Sequence, residues 1–259
     1  MPAPRIHLVP LLLLAAALQS TTAGHVAAEQ PPVGPTLREV QIGLGGKYKS
    51  GYWTPVWLTV QAGTQDVDGE LAVIAADGES IPVTFAAGDA RPLRIKAGQQ
   101  ATVLRYAKIG PVHSGLSAEL QREGKVFFQQ DLDPLVPRPL ASSQELIVTL
   151  GASVGVEEAV SAVRRTADSA YAAGRVDKAA LLPDRWWGYE GVDCLVVTTG
   201  IGGIANKLSP AQVDALRQWV QMGGRLVLSM GANGQQYLKE TSPWWALLPA
   251  TAGEVVPLR

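Results

Sequence analysis

The sequence predicts an α+β two-domain fold: an antiparallel β-sandwich followed by a three-layer α/β domain built on a parallel sheet. Three observations carry that reading. Residues 37–133 alternate apolar and polar side chains with a period of two, as half-buried strands do. Residues 134–143, "PLVPRPLASS", hold three prolines and read as a linker. Residues 144–259 switch to short continuous apolar runs separated by helical spacing. The length of 259 residues fits two domains. Hydrophobic residues at 47% against 17% charged supply a packed core and exclude a disordered chain.

Residues 1–28 are read as a secretory signal peptide. Arg5 supplies the positive start, Leu8 to Leu18 the apolar stretch, and Thr21-Thr22-Ala23 or Val26-Ala27-Ala28 the small residues before cleavage. The apolar stretch is too short to cross a bilayer core of roughly 30 Å. No cysteine stands near it, which excludes lipid modification there. The mature chain is expected to start near Gly24 or Glu29 and to be exported, to the periplasm, the cell envelope or the outside.

In the first half, Val40, Ile42 and Leu44 share one side of a strand, as do Val56, Leu58 and Val60. The pattern repeats through Leu71, Val73 and Ala75; Ile81, Val83 and Phe85; Leu93 and Ile95; and Thr102, Leu104 and Tyr106. It closes with Leu116, Ala118 and Leu120, then Phe127 and Phe128. Seven or eight short strands with no helical window between them predict a sandwich of immunoglobulin-like type. Within it, "GLGGKYKSG" (43–51) fails as a phosphate loop. Tyr48 stands where a magnesium-binding hydroxyl belongs, and no helix follows. It reads as a hairpin turn with an exposed basic tip. Trp53 and Trp57 share a strand face opposite Val56 and Leu58, as an interface or as a ligand platform.

In the second half, Leu146–Leu150, Cys194–Val197 and Leu226–Leu228 read as buried strands. Val156, Ala159, Val160, Val163 and Ala167 follow helical spacing. A second helix opens at Ser209 with Pro210 in its first turn and Gln212 completing a capping box, and stops at Gly223. In "LPDRWWGYEGVD" (182–193), Asp184, Glu190 and Asp193 lack metal-site spacing, and the three aromatics read as packing over the sheet. Cys194, the only cysteine, excludes an intrachain disulfide and reads as a buried, inert thiol.

If the parallel sheet binds a ligand, the crevice lies beyond the carboxyl ends of its strands. The loops "GASVG", "TTGIGG" and "SMGANG" should converge there, bringing Ser153, Thr198, Thr199, Ser229 and Asn233 to a polar or anion-binding rim. No cofactor and no metal ligand set is predicted. The net charge of -1 without long charge runs argues against a nucleic-acid partner.

The strings "GYEGVDCLVVTTG" and "LSPAQVDALRQWVQMGGRLVLSMG" give residues 144–259 a resemblance to class I glutamine amidotransferase-like domains of exported or membrane-anchored bacterial proteins. The resemblance implies a flavodoxin-like sheet and, in active members, a cysteine at a glycine-flanked elbow with a later His and Glu. Here the elbow falls on Met230 or Gly231, Ser229 stands one or two places early, and the last histidine is His113. No Cys–His or Ser–His pair can be assembled, so glutaminase chemistry is not expected. The resemblance also implies later strands and a membrane anchor beyond Arg259, so a truncated chain is expected. The functional expectation is a non-catalytic envelope protein that binds or assembles with a protein or envelope component, an oligomer included. The alternative is a hydrolase with an unrecognised site on the carboxyl edge of the sheet.

Overall fold

A computed structural model describes residues 33–77, 79–86, 92–110, 115–163, 170–200, 203–231 and 234–248. The signal-peptide reading therefore lies outside the described residues. In chain order the first half forms β1 (Thr36–Ile42), β2 (Trp53–Gln61), β3 (Val67–Ala76), β4 (Pro82–Phe85), β5 (Leu93–Ile95), β6 (Gln100–Lys108), β7 (Ser117–Arg122) and β8 (Lys125–Asp131). They build two antiparallel sheets, β1-β2-β6 and β4-β3-β7-β8, with β5 also pairing β3. The alternation seen in the sequence sets which faces meet. Val56, Leu58 and Val60 from one sheet and Leu71, Val73, Ala118 and Leu120 from the other are fully buried in one core. Each of these valines and leucines contributes about 1.5–3 kcal/mol by leaving water.

The second half forms β9 (Glu145–Leu150), α1 (Val156–Val163), β10 (Tyr171–Val176), β11 (Cys194–Thr198), α2 (Pro210–Gln221) and β12 (Arg225–Ser229). Its sheet is wholly parallel in the order β10-β9-β11-β12. α2 starts as its sequence dictates: the Ser209 hydroxyl accepts the Gln212 N–H, and the Gln212 side chain accepts the Ser209 N–H. Gly223 ends it at φ +102.

The fold class predicted from sequence needs correction. Among the described residues 41% are strand and 20% helix, so the chain is mostly β, with antiparallel sheets and one parallel sheet. The second half does not form a three-layer α/β domain. One face of the parallel sheet, with Leu146, Val148, Leu150, Leu195 and Val197, packs on Leu216 and Trp219 of α2. The other face carries Ile147, Thr149, Val196 and Val227, and α1 buries none of its residues there. Val227 is left 48% exposed. Helical spacing in α1 marked a helix correctly but said nothing about burial. Between β10 and β11 the crossover contains only 3-10 turns, Ala179–Leu181 and Trp186–Tyr189. β10 itself, "YAAGRV", has too little apolar contrast to be read as a strand from sequence.

The two halves belong to one compact unit. Leu44 and Trp57 of the first half are buried in the core of the parallel sheet, next to Leu146 and Tyr189. Leu140, in the proline-rich segment, is also buried there, and its N–H donates to the Tyr48 carbonyl at 2.8 Å.

Candidate functional site

Three loops do meet at the carboxyl ends of the strands, and there most of the hydroxyls singled out from the sequence bond to the chain itself. The Thr198 hydroxyl donates to the Leu150 carbonyl (3.1 Å) and accepts the Ala152 N–H (3.0 Å), tying β11 to the end of β9. The Thr199 hydroxyl donates to the Ser229 carbonyl (3.2 Å) and accepts the Gly231 N–H (3.1 Å), tying β11 to β12. Both threonines are buried. The Ser153 hydroxyl donates to Glu157 and Glu158 in the first turn of α1, at 3.2 and 3.4 Å. Two carboxylates at that corner oppose a bound anion, so the anion-binding reading of this corner has no electrostatic support. Ser229 is half-buried at the end of β12, and Asn233 lies outside the described residues. All three histidines lie outside them too. Among the described residues no group of His, Cys, Asp and Glu could hold a metal ion.

The opposite, amino-terminal edge of the parallel sheet gathers more charge. Asp193, just before β11, accepts Lys49 Nζ at 2.5 Å and the Leu146 N–H at 2.6 Å on the same oxygen. Lys49 is 4% exposed, so it is not the tip of an exposed basic turn, and it also lies 5.5 Å from the Tyr52 ring. Glu190 accepts the Trp53 N–H at 2.8 Å. Tyr106 donates to Asp184 at 2.7 Å and accepts the Asp184 N–H at 3.0 Å. Burial first, then the neighbouring Asp184 carboxylate, holds the Tyr106 phenol far above its ordinary range. Each of the three acids of "LPDRWWGYEGVD" thus bonds a residue of the first half. Trp187 stacks edge-on against Tyr106 at 6.0 Å, and Tyr189 packs on Trp219 at 5.8 Å. Trp57 is interface rather than ligand platform; Trp53 stands edge-on to Phe85 at 5.5 Å.

A groove of about 370 Å³ lies where β1 passes the end of β10. Its walls come from Val40, Gln41 and Ile42 of β1, the turn with Gly43, Gly45 and Gly46, and Leu135 and Pro137. Arg175 to Lys178 and Leu181 close the far side. The glycine turn is seated backbone on backbone: a Cβ on Gly45 would come within 2.4 Å of the Arg175 nitrogen. Gly45 has φ +59, a conformation that side chains disfavour. Sequence reasoning missed this groove. The adjacent charges Asp177-Lys178 were its one local signal, and the strand before them was not legible.

Residues 36–134 match the model of a domain of unknown function, DUF8726. No curated protein matches the chain. The DUF8726 segment runs from β1 past β8. It therefore supplies Lys49, Trp53 and Tyr106 to the contacts with the parallel sheet, and the β1 wall of the groove. The acids that meet those residues, and the carboxyl-edge loops, lie outside the DUF8726 match.

Proposed function

We propose that this chain is a non-catalytic, exported protein of the cell envelope with a binding or assembly role. The observation that carries the reading is the use of the carboxyl-edge hydroxyls: Thr198 and Thr199 are buried and spend their hydroxyls on backbone bonds that close strand ends. Ser229, the remaining described hydroxyl of a possible elbow, has no histidine among the described residues to take its proton. The resemblance of residues 144–259 to amidotransferase-like domains is compatible with this role, since Met230 and Gly231 at the elbow offer no nucleophile. The order of charge, apolar run and small residues in 1–28 supports export. Among the described residues no helix is long and apolar enough to cross a membrane.

Two measurements test the reading together. A fusion to a phosphatase reporter that is active only outside the cytoplasm should be active with residues 1–28 and inactive without them. The purified chain should hydrolyse p-nitrophenyl acetate and glutamine no faster than its Ser229→Ala variant. A folded Ser229→Ala protein that lost a measurable esterase or amidase activity would establish the hydrolase alternative instead.

A further inference from the structure

We infer that the groove beside β1 binds an extended, uncharged peptide segment of a partner protein, which adds as a strand to the β1 edge. The inference rests on the binding role proposed above and gives it a place and a partner chemistry. Among the described residues β1 is an edge strand, paired only with β2. The Gly43 N–H donates to the Pro55 carbonyl at 2.9 Å, which sets the alternation along the strand. Gln41 opposite Trp57 and Glu39 opposite Thr59 continue the hydrogen-bonded pairs toward β2. Val40 and Ile42 therefore turn their N–H and C=O groups away from β2, toward the groove that they line. No backbone or side-chain partner is found for those groups among the described residues. Unpaired backbone groups in a strand edge select another extended backbone.

The groove also limits what can enter. Its charges are few and close to balance: Asp177 stands beside Lys178, and the remaining Arg175 is paired at 3.8 Å with Glu157, which lies outside the lining. Neither an acidic nor a basic tail is favoured by such a lining. Leu135, 54% exposed, together with Pro137 and Leu181 offers an apolar wall to one side chain of the incoming strand. A second copy of this chain is a poor occupant. The register of β1 shifts between Leu37 and Glu39, leaving Glu39–Ile42, about 13 Å of strand, for pairing. Four residues a side is far short of the roughly 20–30 residues a side of a stable protein interface.

The test uses the full exported chain and a fluorescein-labelled peptide, Thr-Val-Thr-Val-Thr with an amidated end, followed by anisotropy. Val40→Pro removes the outward N–H while leaving the bonds to β2 in place, as edge positions allow. It should weaken binding about tenfold, the effect of one lost hydrogen bond. Leu135→Asp, on an exposed side chain, should weaken it about as much. The same peptide with N-methylated valines should not bind, and this control needs no protein variant should Val40→Pro fail to fold. Val227→Lys, on the open face of the parallel sheet, should bind like the parent. Equal affinity for parent, Val40→Pro and Leu135→Asp would overturn the assignment, as would absence of binding at millimolar peptide. Binding lost only in Val227→Lys would overturn the groove while leaving the binding role standing. A concentration-dependent dimer abolished by Val40→Pro would replace the partner peptide with a second copy.

Discussion

Removing the Asp193 carboxylate should cost far more than removing the lysine it holds. In Asp193→Ala the Lys49 ammonium, 4% exposed, keeps its charge without a partner, and the Leu146 N–H loses its acceptor. Removing one member of a buried pair costs about 3–5 kcal/mol. Asp193 is 29% exposed, so water already shares the site and the lower end, about 3 kcal/mol, is expected. In Lys49→Met the carboxylate retains the Leu146 N–H and its access to water, so the loss should be about 1–2 kcal/mol. The double variant leaves no stranded charge but still leaves the Leu146 N–H without its acceptor, so it should lie about 1 kcal/mol beyond Lys49→Met, a coupling of about 2 kcal/mol. Urea titrations followed by far-UV circular dichroism and tryptophan fluorescence give all three values. The two signals should move together, because Trp57 and Trp219 sit in a core shared by both halves. An Asp193→Ala loss below about 1 kcal/mol, or one equal to that of Lys49→Met, would refute the argument that the pair is a buried one.

Three other outcomes follow from particular atoms. Gly45→Ala should destabilise by about 2–4 kcal/mol, because a positive φ and a Cβ clash with the Arg175 backbone coincide; Gly46→Ala, where nothing lies within 4 Å, should cost only about 1 kcal/mol in the same urea titration. Cys194 is half-buried rather than sealed, and desolvation, partly offset by Arg225, raises its thiol pKa. A thiol reagent should label it slowly in the native protein, faster at higher pH, and complete exclusion until unfolding would contradict this. Burial and then Asp133 push Tyr48 up to about 12, and burial above all also raises Tyr106 and Tyr189 well above the ordinary phenol range. These phenols ionise first in the unfolded chain, so their contribution is whole below pH 10 and declines as pH rises through the folded values. Melting temperatures flat from pH 8 to 11 would sink that account.

How far the sequence could be read follows from what periodicity measures. A period of two reports that one side of a strand is apolar, so the core of Val56, Leu58 and Val60 was legible, as was the capping box at Ser209 and Gln212. Periodicity does not report what covers an apolar face. The spacing of Val156, Val160 and Val163 therefore suggested a packed layer, whereas α1 buries none of its residues and Val163 is 65% exposed. Trp53 and Trp57 were legible as a second face of β2 and illegible as to its partner. The partner of Trp57 lies more than a hundred residues later, in the cluster around Tyr189, whereas the Trp53 ring meets Phe85. The same limit hid the ion pair. Lys49 and Asp193 are 144 residues apart, each in a segment whose local chemistry points elsewhere, a glycine turn and an aromatic loop. Only closure of both halves on one core makes a surface lysine into a buried one. The carboxyl rim shows the converse. Loop hydroxyls after parallel strands were placed correctly at the strand ends, but a threonine there has a backbone carbonyl within reach before any ligand arrives. At Thr198 and Thr199 that intramolecular bond costs no association entropy, so it is the one that forms.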